Sequence, residues 1–136
     1  MIEQFRPGAY LSGESGWQLE PIAGICVKGE VPEETARREA IGEAGCTLDE
    51  LVPICDYIAS PGCVNEKVSV FCAKVNISTV SNWGGTVVEH EETKVYIVNF
   101  KTCRRYLNEA NFGYALTIIA LQWLVLNRDA LREDCC

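Results

Sequence analysis

The chain has 136 residues and a mass of 15.1 kDa, the size of one globular domain and too short for a multidomain enzyme. Apolar types make up 48% and charged types 23%, a balance that excludes a disordered chain. Twelve Lys and Arg against nineteen Asp and Glu give a net charge of −7, which disfavours a nucleic-acid binder because that grip rests on neutralising cations.

In chain order, the first residues lack the continuous apolar core of a signal peptide. Ile2 to Phe5 predicts a strand, interrupted by Arg6-Pro7-Gly8. Leu11 to Gly16 is turn-rich, and Trp17 to Ile22 alternates as a second strand. Ile25 to Val27 is a short extended piece, followed by a loop at Lys28-Gly29-Glu30. The stretch PEETARREAIGEAG is the clearest helix: Pro32 suits its first position, Glu33 and Glu34 its positive end, and Gly45 its stop. Ala36, Ala40, Ile41 and Ala44 form its apolar stripe. Leu51 to Ala59 and Val68 to Val75 read as strands joined through Ser60-Pro61-Gly62, and Thr93 to Phe100 as another. Lys101 to Glu109 is a short helix and Tyr114 to Arg132 a long one, apolar nearly all round and therefore buried or shared with a second copy. Its apolar run, Tyr114 to Leu126, falls short of the about 20 residues a membrane span needs. The expected class is mixed α/β (α+β), in a soluble cytoplasmic protein.

The eight cysteines, at positions 26, 46, 55, 63, 72, 103, 135 and 136, include no Cys-x2-Cys pair, and the single His90 cannot complete a Cys-His zinc set. Cys26, Cys55 and Cys72 lie in apolar runs as small hydrophobes, so reduced thiols are expected. Trp83 and Trp123 read as packing residues, not adenine platforms.

The stretch from Gly24 to Cys46, GICVKGEVPEETARREAIGEAGC, carries the chemistry. Glu39 and Glu43 stand one helical turn apart and project from one face. Two adjacent carboxylates repel unless a cation sits between them, and hard oxygen donors suit Mg2+ or Mn2+ held together with substrate phosphates. Arg38 beside them is suited to a phosphate or carboxylate.

That stretch resembles the signature of the Nudix hydrolases, Gly-x5-Glu-x7-Arg-Glu-U-x-Glu-Glu-x-Gly-U with U apolar. Gly24, Glu30, Arg38, Glu39, Ala40, Glu43, Gly45 and Cys46 stand in register with it. The resemblance implies a single Nudix domain over 1–136 with its box at 24–46, and a mixed β-sheet sandwiched by helices around a loop–helix–loop catalytic motif. One position departs: Gly42 stands where the family has the first glutamate of its Glu-Glu pair, removing one carboxylate.

The stretches IEQFR, ASPG, EHEETKVYIV and IIALQWL are similar to the bacterial ADP-ribose pyrophosphatases along nearly the whole chain, with Pro61 at that group's marker proline. The resemblance implies metal ligation by Glu39, Glu43 and the Ala23 carbonyl, and contact of Arg6 with substrate phosphates. It also implies a place for Glu66 near the scissile diphosphate and a role for Glu89 as general base. Arg38 is counted with the substrate-binding residues, and His90 as incidental. The implied reaction is hydrolysis of ADP-ribose to AMP and ribose 5-phosphate with Mg2+ or Mn2+. The alternatives are another nucleoside-diphosphate sugar such as GDP-mannose, or a degenerate, non-catalytic module that binds a nucleotide. Relative to that family the chain is expected to be N-terminally shortened, leaving an open sheet edge and a homodimer. Neither nucleic acid nor membrane is an expected partner.

Overall fold

The computed structural model describes residues 1–84 and 93–133. Glu89 and His90, with Cys135 and Cys136, lie outside the described residues.

Strand β1 (Ile2–Phe5) is followed by one helical turn, α1 (Pro7–Leu11), where the sequence reads as a simple interruption. Proline has no N–H to lose at a first helical position, so Pro7 opens the turn without cost. β2 (Trp17–Glu20) runs back antiparallel to β1, pairing Ile2 with Glu20 and Phe5 with Trp17. Helix α2 (Pro32–Ala44) occupies its expected place. Glu34 accepts the Val31 N–H at 3.2 Å at its start, and Gly45 at φ 63° ends it in the left-handed conformation that glycine tolerates best. Of the expected stripe, Ala40 and Ala44 are buried and Ala36 half-buried, whereas Ile41 points to solvent.

β3 (Leu48–Ile58) and β4 (Lys67–Val75) form a separate antiparallel pair. β3 starts before the expected Leu51, and its register shifts between Leu48 and Leu51 and again between Pro53 and Cys55. Pro53 has no N–H for the ladder, and irregular pairing accommodates such a residue. Short β5 (Trp83–Gly84) and β6 (Thr93–Val95) complete a four-stranded sheet in the order β2-β1-β6-β5. The strand expected over Thr93 to Phe100 thus ends at Val95. Asn99 caps helix α3 (Phe100–Asn108) by accepting the Thr102 N–H at 2.9 Å, so the chain turns helical at Phe100 and no strand can run through to that residue. α4 (Ala115–Glu133) packs on α3, β4 and β2. The described elements make an α+β architecture whose strand pairings are all antiparallel.

Two apolar clusters hold these elements. Ala40, Ala44 and Cys46 seat α2 against Leu48, Val75 and Val95, while Cys103, Phe112 and Leu121 lock α3 to α4 against Leu19. The first cluster matters for the site, because it fixes the helix that bears Glu39 and Glu43. Trp83 is largely exposed rather than packed, and Cys26 is exposed while Cys55 and Cys72 are half-buried. All six cysteines among the described residues are free thiols. No described helix is long and apolar enough to cross a membrane.

Candidate active site

An open cleft of about 1540 Å³ draws its walls from several of the segments that the sequence marks for chemistry. Arg6 enters from the end of β1, Ala23 and Gly24 from the loop after β2, Arg38, Glu39 and Glu43 from α2, and Glu66 from the loop before β4.

The loop ahead of α2 owes its shape to one carboxylate. Glu30 accepts Arg38 Nε at 3.0 Å on one oxygen and Nη2 at 3.1 Å on the other, the two-point geometry for which a guanidinium is suited. Its second oxygen also accepts the Thr35 hydroxyl at 2.8 Å and the Val27 N–H at 3.2 Å. These donors, the Arg38 guanidinium foremost and the Thr35 hydroxyl next, push the Glu30 carboxyl down to about 2. Arg38 also donates to the Ile25 carbonyl at 3.1 Å and through Nη1 to Glu39 at 2.5 Å. Arg38 therefore lines the cleft as a brace between loop and helix, its guanidinium spent on Glu30, Ile25 and Glu39. Expected on substrate, it is occupied here by protein partners. Its own pKa is held above the usual arginine range, mainly by Glu30 and then Glu39.

Glu39 is pressed against the loop: a Cβ at Gly24 would land on its carboxylate, so a larger residue there would push the Glu39 side chain aside. Glu43 is buried, and its Oε2 accepts the Ala23 N–H at 3.3 Å. The carbonyl of the same helical residue accepts the Thr93 hydroxyl at 3.2 Å, tying α2 to β6. Ala23, Glu39 and Glu43 are thus adjacent and offer only hard oxygen donors. Among the described residues no group of three or more His, Cys, Asp or Glu side chains is placed to hold a metal, which limits this donor set to two carboxylates and a carbonyl.

Arg6 sits across the cleft. Its guanidinium donates from Nε to Glu20 Oε1 at 2.8 Å and approaches the same oxygen through Nη2 at 2.5 Å. It lies within electrostatic reach of Tyr114 and Glu43, and Tyr114 in turn within reach of Glu66 and Glu20. Burial, then the charges of Glu20 and Glu66, raise the Tyr114 hydroxyl pKa, so the phenol stays protonated at neutral pH. Glu20 and Tyr114 escape a reading of the sequence, because neither sits in a motif. The alternation of β2 gives Glu20 a face but not a partner.

Comparison with known proteins adds relatives along almost the whole chain. It is 37% identical over 134 residues to the ADP-ribose pyrophosphatase of Escherichia coli (strain K12), covering 98% of this chain and 64% of that protein. Identity is 34% over 137 residues with the ADP-ribose pyrophosphatase of Haemophilus influenzae, covering 98% and 63%. It is also 34% over 127 residues with the GDP-mannose pyrophosphatase of Pectobacterium atrosepticum, covering 93% and 65%. The chain therefore spans a little under two thirds of the length of these curated relatives. No family model matches the chain.

Proposed function

Because the chain belongs to the Nudix hydrolase family, we propose that its cleft cleaves the diphosphate of a nucleoside-diphosphate-linked substrate, with ADP-ribose first among them. One observation carries this reading: Arg6, Ala23, Glu39, Glu43 and Glu66, brought in by separate segments, line a single cleft. The relatives include pyrophosphatases for both ADP-ribose and GDP-mannose, so the shared chemistry is hydrolysis of the phosphoanhydride between a nucleotide and a sugar phosphate.

In this reading Arg6 pairs with the phosphate oxygens and fixes the diphosphate against α2. Water attacks one phosphorus, the bridging anhydride bond breaks, and ADP-ribose yields AMP and ribose 5-phosphate. Glu89 takes the proton of the attacking water. Glu66 borders the reacting diphosphate from the β3–β4 loop. Arg38, itself anchored on Glu30, holds Glu39 directly, so the catalytic loop does not have to order itself when substrate arrives. The hard oxygens of Glu39, Glu43 and the Ala23 carbonyl fit one Mg2+ or Mn2+, which when bound would neutralise the diphosphate and acidify water. A homodimer is part of the same proposal.

A second reading, nucleotide binding without turnover, is favoured by Gly42, which leaves α2 with two carboxylates in the cleft. One experiment separates the two. Purified protein is assayed for AMP release from ADP-ribose and GMP release from GDP-mannose, with Mg2+ and with Mn2+, beside Gly42→Glu. The expected result is metal-dependent AMP release by the unaltered chain. Release only after Gly42→Glu supports the second reading, and release by neither form removes the enzymatic one.

A further inference from the structure

We infer that Glu20 is a positioning residue, whose buried carboxylate aims the Arg6 guanidinium at the diphosphate. The inference rests on the proposed chemistry of the cleft, but its observations stand apart from the Nudix box. Glu20 is fully buried at the end of β2, and its Oε2 has no hydrogen-bond partner among the described residues. A carboxylate with one oxygen orphaned in the interior is a poor way to stabilise a fold, since desolvation is repaid only when both oxygens are satisfied. Its Oε1, by contrast, takes both Nε and Nη2 of Arg6.

The backbone does not need this pair. The Arg6 N–H already donates to the Gly16 carbonyl at 2.6 Å, and the β1–β2 ladder sets the register from Ile2 to Phe5. What Glu20 adds is side-chain direction. Arg6 continues the Ile2, Gln4 face of β1, on which Glu20 lies across from Ile2, so the guanidinium must turn back along the sheet to reach it. Both contacts fall on one edge of the guanidinium, and Nη1 has no hydrogen bond among the described residues. The Arg6 side chain remains 39% exposed at the cleft wall, within electrostatic reach of Glu43. Held on one edge, the planar group offers its remaining N–H bonds to a phosphate on the α2 side without losing rotamer freedom at binding. The negative charge of Glu20 weakens the raw attraction of Arg6 for an anion, so the pair exchanges some field for direction.

A double-mutant cycle on the whole chain tests this: Glu20→Gln, Arg6→Ala and both together. Binding of inorganic pyrophosphate in Mg2+ buffer is read by calorimetry, and KM and kcat are read for the diphosphate sugar. Glu20→Gln is expected to weaken pyrophosphate binding about tenfold and to lower kcat/KM by a similar factor, mostly through KM. In the Arg6→Ala background the same substitution should change nothing further. Equal effects in both backgrounds would mean that Glu20 supports the fold and not Arg6, overturning the inference. Should Glu20→Gln fail to fold, Glu20→Asp, which keeps the charge but shortens the reach, is read in the same cycle. If the unaltered chain binds pyrophosphate but hydrolyses no diphosphate, the enzymatic reading falls and the binding cycle still decides on Glu20. If it binds no pyrophosphate, both fall.

Discussion

Glu30 gathers four hydrogen bonds in the loop ahead of α2, taking Arg38 twice, Thr35 and the Val27 N–H. Its carboxyl is lowered from 4.5 to about 2, chiefly by Arg38, so its contribution to stability is complete above 4.5 and is lost as pH falls towards 2. Glu30→Gln should therefore unfold at lower temperature than the unaltered chain at pH 7, with the gap in Tm closing between pH 4.5 and 2 when followed by circular dichroism. A gap that stays constant over that range would mean that the ion pair adds nothing to the fold. At this scale the sequence is most readable where residues are local. Glu30, Arg38, Glu39 and Glu43 lie within one loop and one helix, and their spacing alone brings them together. Glu20 and Arg6 meet only through the β1–β2 register, and Tyr114 joins them from the start of another helix, so no local pattern announces them.

Helix α2 was legible from end to end because each signal is local: Pro32 at its start, acidic residues in its first turn, and Gly45 at its stop. The C-terminal half of the expected 93–100 strand was not, because Asn99 diverts the chain into α3 and the apolar alternation before it cannot reveal that cap. What α2 needs from elsewhere is also hidden in the sequence. Gly84 on β5 crosses its last turn so closely that a Cβ would strike the Glu43 backbone carbonyl. Since backbone atoms cannot swing aside as a flexible side chain does, Gly84→Ala should destabilise the protein by about 2 kcal/mol. It should also weaken the proposed hydrolysis by displacing Glu43. Urea denaturation beside an activity assay checks both, and an unchanged midpoint would show that β5 yields instead.

Across the whole molecule, apolar side chains remain uncovered on both the sheet and the helices. Phe5, Tyr10 and Trp17 form an aromatic cluster on the β1–β2 hairpin, with ring centroids 5.9 and 5.6 Å apart, and each is largely exposed. Leu126 on α4 is 83% exposed, and β2 closes one edge of the four-stranded sheet without a further described strand beside it. Apolar surface next to an open edge favours pairing with a second copy. Sedimentation at micromolar concentration should therefore give the mass of a dimer, and a monomer mass would remove the homodimer from the proposal. The α+β class and the order of the longer elements could be read from the chain, but the short α1 and β5 and the division into two separate sheets could not, the last because it depends on pairing between distant strands. The cleft itself has a kinetic consequence. Its guanidinium groups, Arg6 and Arg38, are each already paired with carboxylates, while Glu43 and Glu66 add further negative charge to the same walls. A diphosphate diffusing towards these walls without a divalent ion meets like charge, so monovalent salt should quicken the encounter where it slows most anion capture.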